Sequence, residues 1–141
     1  ITISLKLVKI DANEIQQFWG TNEIRRLFWK FQLPFLSKDR KYRSFPISGD
    51  SMPPISNGSF VTGEFIQNWN YIKNGYPYII ITKDEGIVFK IVYNQLKKNK
   101  TILLCSTNSL YEPYEVKVDE ILEIWKFTNY INSEAPELEK K

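Results

Sequence analysis

Ser51 and Lys90 are the two residues whose types and settings suit covalent chemistry. The 141-residue chain contains no histidine, so a serine nucleophile needs another base, and a lysine that has lost its proton is the direct substitute. Ser51 sits in Ser48-Gly49-Asp50-Ser51-Met52-Pro53, where a glycine permits an unusual backbone angle and Pro53 and Pro54 restrict the chain beyond the serine. Such a turn aims backbone N–H groups at a developing oxyanion, and Met52 N–H, directly after the serine, is the natural donor. Lys90 sits in Gly86-Ile87-Val88-Phe89-Lys90-Ile91-Val92, an apolar run in which a charge needs a reason. Burial there would push its amine below the usual lysine value of about 10.4 and enlarge the neutral fraction that accepts a proton. A plainer reading stands beside this one. Gly-Asp-Ser is a common turn sequence, and alternation could equally send Lys90 to solvent on the side of Val88 and Val92.

A small fold has to position these residues. With 43% hydrophobic and 15% aromatic residues, the chain can build one core, which excludes a multidomain machine and a wholly disordered polypeptide. The net charge of +3 is too slight by itself to mark a nucleic-acid surface. One cysteine, Cys105, excludes an internal disulfide, and without a CxxC or Cys/His cluster a standard zinc site is excluded too. No cofactor or metal is expected. A reducing cytoplasm fits this cysteine usage, and no apolar run approaches the roughly 18 to 20 residues that span a bilayer. The chain opens at Ile1 without a signal-peptide pattern, as expected of a piece of a longer protein.

Alternation of apolar and polar residues marks strands at 2–10 and 59–66, and short apolar runs bounded by turn residues mark others at 44–47, 76–82, 86–93, 101–106, 115–118 and 120–127. Lys83-Asp84-Glu85 before Gly86 reads as a three-residue hairpin connection. Residues 11–30 lose the pattern around Gly20 and read as a connecting segment with one short helix at most. The reading is therefore an all-β fold with at most short helices, divided into a strand and linker at 1–30, a β domain at 31–131 and a frayed tail at 132–141. Its core is expected around Phe45, Ile47, Phe60, Val61, Ile80, Val88, Leu103 and Ile124. Trp19, Trp29, Trp69 and Trp125 are expected to anchor a core or a dimer surface, and Cys105 to be a small buried hydrophobe.

The boxes Phe45-Pro46-Ile47-Ser48-Gly49-Asp50-Ser51-Met52-Pro53-Pro54-Ile55, Asn57-Gly58-Ser59-Phe60-Val61 and Asp84-Glu85-Gly86-Ile87-Val88-Phe89-Lys90 resemble the self-cleaving peptidase domain of LexA-like and phage-type repressors. The resemblance runs from about Phe31 to Phe127. It implies a compact β fold related to signal peptidase, Ser51 as nucleophile, Lys90 as general base and self-cleavage in the segment before the serine box. It further implies a homodimer carried behind an N-terminal helix-turn-helix domain that contacts operator DNA, here upstream of Ile1. Two features depart from the family pattern. No Ala-Gly or Cys-Gly dipeptide is present, so the candidate cleavage region is about Ile10 to Gln16, with Ala12-Asn13 the best site, and Ile91 stands where an arginine often follows the lysine.

Three functions compete. The first is a dimerisation and self-cleavage domain of a transcriptional repressor, with an edge strand or the C-terminal strand near Ile121 to Phe127 as the dimer contact. The second is a non-catalytic dimerisation or ligand-binding module of the same fold. The third is a membrane-associated signal peptidase, against which the lack of a hydrophobic anchor counts. The basic stretch Arg25, Arg26, Lys30, Lys38, Arg40, Lys41 and Arg43, interleaved with Trp29 and Phe31, reads first as a solvated face and second as a phosphate contact.

Overall fold

Short runs rich in Ile, Val, Tyr and Phe, separated by Gly, Pro and Asn, pair into one sheet in the computed structural model, which describes residues 3–5, 29–31, 36–37, 39–132 and 138. Among the described residues there are nine strands, in chain order β1 (Ile3–Leu5), β2 (Trp29–Phe31), β3 (Tyr42–Pro46), β4 (Phe60–Phe65), β5 (Tyr76–Thr82), β6 (Gly86–Gln95), β7 (Thr101–Cys105), β8 (Tyr114–Lys117) and β9 (Ile121–Ile131). Their spatial order is β2-β1-β3-β4-β9-β5-β6-β7-β8, with β1 parallel to β3 and all other neighbours antiparallel. The fold is mainly β, as expected. Among the described residues the only α-helix is the single turn α1 (Leu96–Asn99), and no helix is long and apolar enough to cross a membrane.

Both faces of the sheet carry apolar clusters. Tyr78, Ile80, Val92, Ile102, Leu104 and Ile124 form one; Phe45, Met52, Val61, Ile79, Phe89 and Trp125 form the other. Successive residues of β5 alternate between the clusters, which is why Tyr78-Ile79-Ile80-Ile81 reads as an unbroken apolar run: a central strand covered on both faces has no polar side to show. Trp125 is fully buried and meets Phe45 and Phe65 edge to face, at centroid separations of 5.4 and 5.1 Å. Gly63 permits this packing, since a Cβ there would stand 2.7 Å from both Ile79 Cδ1 and Trp125 Cβ.

Several expectations shift in detail. Phe45, Val61, Ile80 and Ile124 are buried, but Ile47, Phe60, Val88 and Leu103 are only half-buried. On β7 the interior parity belongs to Ile102 and Leu104, so Cys105 shares Leu103's half-exposed side rather than the core. Trp29 and Lys30, read as the end of the connecting segment, join Phe31 in a strand that pairs with β1. The C-terminal strand is not an edge: around Trp125 and Lys126 it is bonded to β4 on one side and β5 on the other. The candidate cleavage region with Ala12 and Asn13 falls outside the described residues, as does the tail apart from Asn132 and Leu138.

Candidate active site

The β3–β4 connection carries Ser51. Its neck is closed by backbone bonds from Ile47 N–H to Ser59 O and from Gly58 N–H to Ile47 O, both 2.8 Å. Gly49 turns the chain at φ +92°, a left-handed angle that a side chain disfavours, and its N–H donates to Asn57 Oδ1 at 2.9 Å. Beyond the serine, Met52 and Ile55 plug into the Trp125 cluster. A turn through the cis Pro53–Pro54 bond closes with Ile55 N–H donating to Met52 O at 2.9 Å. Apolar anchors on both sides of a polar turn leave Ser51 half-exposed at its rim.

Lys90 arrives from the β5–β6 hairpin. Thr82 pairs with Gly86, and Thr82 Oγ1 accepts from Glu85 N–H at 3.0 Å, so Lys83-Asp84-Glu85 forms the expected three-residue connection. Alternation sets Lys90 on the side of Val88 and Val92. That side is interior rather than solvent, because Val92 is wholly buried and Lys90 itself is only 9% exposed. Its Nζ donates to Ser106 Oγ at 2.7 Å and stands 5.4 Å from the Tyr111 ring centroid. Ser51 and Lys90 line one cleft of about 330 Å³, walled by Ile47, Glu85, Ile87, Tyr111 and Tyr114 among others. Among the described residues no hydrogen bond joins Ser51 to Lys90; the lysine is held by Ser106.

These boxes, at this separation and facing one cleft, coincide with the match of a Peptidase S24-like family model to residues 8–127. The chain belongs to that family, of LexA and phage-repressor type. No curated protein matches it.

One part of this S24-like site was not read from the sequence. Residues 106–111, Ser-Thr-Asn-Ser-Leu-Tyr, strap the serine turn to the lysine. Asn108 N–H donates to Ser51 O and Asn108 Nδ2 to Asp50 O, both at 3.1 Å. Thr107 Oγ1 donates to Pro53 O at 2.8 Å, and the Tyr111 hydroxyl donates to Asp50 Oδ1. Ser106, in the same segment, holds Lys90. The signal in the sequence was compositional: a polar Ser/Thr/Asn run directly after an apolar strand supplies donors for neighbouring carbonyls, but it does not say which ones.

Burial pushes the Lys90 amine below its ordinary value, and the Glu85 carboxylate opposes that shift. Tyr111 is pushed up by its hydrogen bond to Asp50. Tyr114 is pushed up chiefly by burial and then by its 2.9 Å hydrogen bond to Glu85. Both shifts favour the neutral, hydrogen-donating form of the two phenols. Among the described residues no cluster of His, Cys, Asp or Glu could hold a metal ion.

The basic stretch is a face that lies against aromatics. Arg40 pairs with Glu64 at 2.8 Å, while Lys41 and Arg43 lie over the Trp125 ring at 5.6 and 5.1 Å. The side chains of Arg25, Arg26, Trp29, Lys30, Phe31 and Lys38 lie outside the description, as does Trp19; Trp69 packs, half-buried, against the Tyr78 cluster.

Proposed function

We propose that this S24-like domain is a Ser-Lys self-cleaving peptidase and the dimerising regulatory domain of a LexA-like or phage-type transcriptional repressor. The observation that carries the reading is a nearly buried lysine, depressed by desolvation and held by a hydroxyl, in the same cleft as a serine at a rigid turn. Neutral Lys90 donates one N–H to Ser106 and offers its lone pair to the Ser51 proton. Ser51 Oγ then attacks a peptide carbonyl, Met52 N–H donates to the oxyanion, and the lysine returns the proton to the leaving amine. Lys90 next takes a proton from water, the hydroxide adds to the acyl carbonyl, and as the intermediate collapses to a free carboxylate the lysine returns that proton to the departing Ser51 Oγ.

The cleft also suits an extended peptide. β7 covers β6 only from Ile91 onward, so Gly86–Lys90 keeps one backbone edge uncovered by any described strand, beside the cleft walls. An extended segment laid along that edge gains main-chain hydrogen bonds and leads toward Ser51. The repressor reading adds a homodimer and operator DNA bound by a separate helix-turn-helix domain. A two-fold protein engages paired half-sites, so loss of that pairing on cleavage would lower operator affinity steeply.

Intact mass after incubation at pH 7 to 10 tests the chemistry. Cutting is expected between Ile10 and Gly20, foremost at Ala12-Asn13, faster at higher pH, and absent in Ser51→Ala and in Lys90→Ala. An unchanged mass over days at pH 10 would leave the non-catalytic module of the same fold. Sedimentation tests the dimer: a monomer at high micromolar concentration would remove it.

A further inference from the structure

The end of the sheet away from the cleft is basic, aromatic and unneutralised. Lys90 lies toward the first half of β6, and the strand continues to Gln95, turns through α1 and returns as β7. Residues 65–83 and 86–111 contain no Asp or Glu. Lys73, Lys97, Lys98 and Lys100 are exposed, and none of them is in an ion pair among the described residues. Asp119, beside the rim residue Val118, forms no ion pair with them either.

Two concavities meet there at Asn70, of about 420 and 290 Å³; Lys100 lines the first, and Lys97 and Lys98 line the second. Their floor is tied down. Asn94 N–H donates to Asn74 Oδ1 at 2.7 Å, Asn94 Nδ2 to Trp69 O at 3.4 Å, and Leu96 N–H to Asn94 Oδ1 at 2.9 Å. From the turn between the two concavities Tyr71 projects 82% exposed, far more than its apolar ring would favour, and Trp69 lines the larger one. Concentrated positive charge that its one neighbouring acid leaves unpaired attracts a polyanion, whereas an exposed flat ring on the turn beside it is of use only to a ligand with a π face. A duplex keeps its base faces stacked inside; a single strand offers both groups at once.

We propose that this end of the domain binds single-stranded nucleic acid, with Lys73, Lys97, Lys98 and Lys100 on the phosphates and Tyr71 stacked on a base. The surface is separate from the cleft and does not rest on the peptidase reading.

The experiment is fluorescence anisotropy with a labelled oligothymidylate of about 20 nucleotides, on the chain carrying Ser51→Ala so that self-cleavage plays no part. Affinity should fall with salt, and the combined Lys97→Gln, Lys98→Gln, Lys100→Gln variant should lower the log–log salt slope by about 2, at roughly 0.7 per lost phosphate contact. Tyr71→Ala should weaken binding on the order of tenfold with the slope unchanged, and Tyr71→Phe should restore it. Lys83→Gln, at the hairpin, should change nothing. All four side chains substituted at the surface are exposed, so the fold is retained. Equal binding of a duplex of the same length, or wild-type binding by the triple variant or by Tyr71→Ala, would overturn the proposal.

Discussion

Along β6, Ile91 and Val92 are paired on both edges, by β5 and by β7, and β7 follows the strand on to Gln95, whereas the half from Gly86 to Lys90 is paired only with β5. Val92 and Lys90 are two residues apart on one side of the strand and both are nearly or wholly buried. In the covered half, that side is filled by Val92 among Ile80, Ile102 and Leu104. In the open half it holds an amine, a serine hydroxyl and a tyrosine face. The same strand thus shows what burying a lysine requires: a polar partner for the head and an opening through which it can lose its charge.

The largest expected effect breaks the open half. Lys90→Ala should lower self-cleavage on the order of 10²- to 10⁴-fold, the usual span for a lost general base, as read by intact mass at pH 9. Placing a charge in the covered half instead, as Val92→Lys, should cost several kcal/mol, about 4 or more, because Val92 is wholly buried among Ile80, Ile102 and Leu104. Urea denaturation measures it, and a loss under about 1 kcal/mol would erase the contrast between the halves.

Lys90→Met sharpens the comparison from the other side. The folded chain favours the neutral amine, so below the depressed folded value the buried ammonium is a full penalty; stability rises with pH between that value and the ordinary lysine value. Removing the ammonium should therefore stabilise the fold by about 1 kcal/mol at pH 7, with the advantage over wild type shrinking as pH approaches 10. An advantage that stays constant with pH would mean the lysine is not desolvated. Asn108→Ala, which loses the strap's bonds to Asp50 and Leu110, should cost about 1 to 2 kcal/mol and slow cleavage, since the serine turn loses its tie to the lysine side. The smallest effect is Glu85→Gln. Loss of the opposing carboxylate should move the midpoint of the pH–rate profile further down, by less than about one unit, so that cutting at pH 7 rises; Tyr114→Phe, which spares the charge, should leave the midpoint in place.

The strands at 76–82 and 86–93 were legible because both period and punctuation agree there: Ile, Val, Tyr and Phe on each flank and a three-residue turn ending at a glycine with φ +73°. Ser51 and Lys90 stood out for the same reason, a serine in a glycine- and proline-marked turn and a charge in an apolar run. The depth of side chains was less legible. Leu103 and Ile102 differ in burial although their types do not, because the choice depends on which face β8 and the Tyr78 cluster cover. The central place of Ile121 to Phe127 was not legible for a similar reason: nothing local in that stretch tells that β4 and β5 close on both sides of it.

By itself, the amino-acid sequence determined the all-β class, the hairpin that presents Lys90, the turn that presents Ser51 and the absence of an imidazole, all of which are properties of residue type and near-neighbour spacing. The tertiary structure decided that the Val88 side of β6 is interior, that the two residues share a cleft, and that Ser106, Asn108 and Tyr111 tie its walls together. Those facts join positions far apart in the chain through a strand order that departs from chain order. Burial, and with it the state of the Lys90 amine, is a property of what long-range pairing places around a side chain and not of the side chain's own neighbours in sequence.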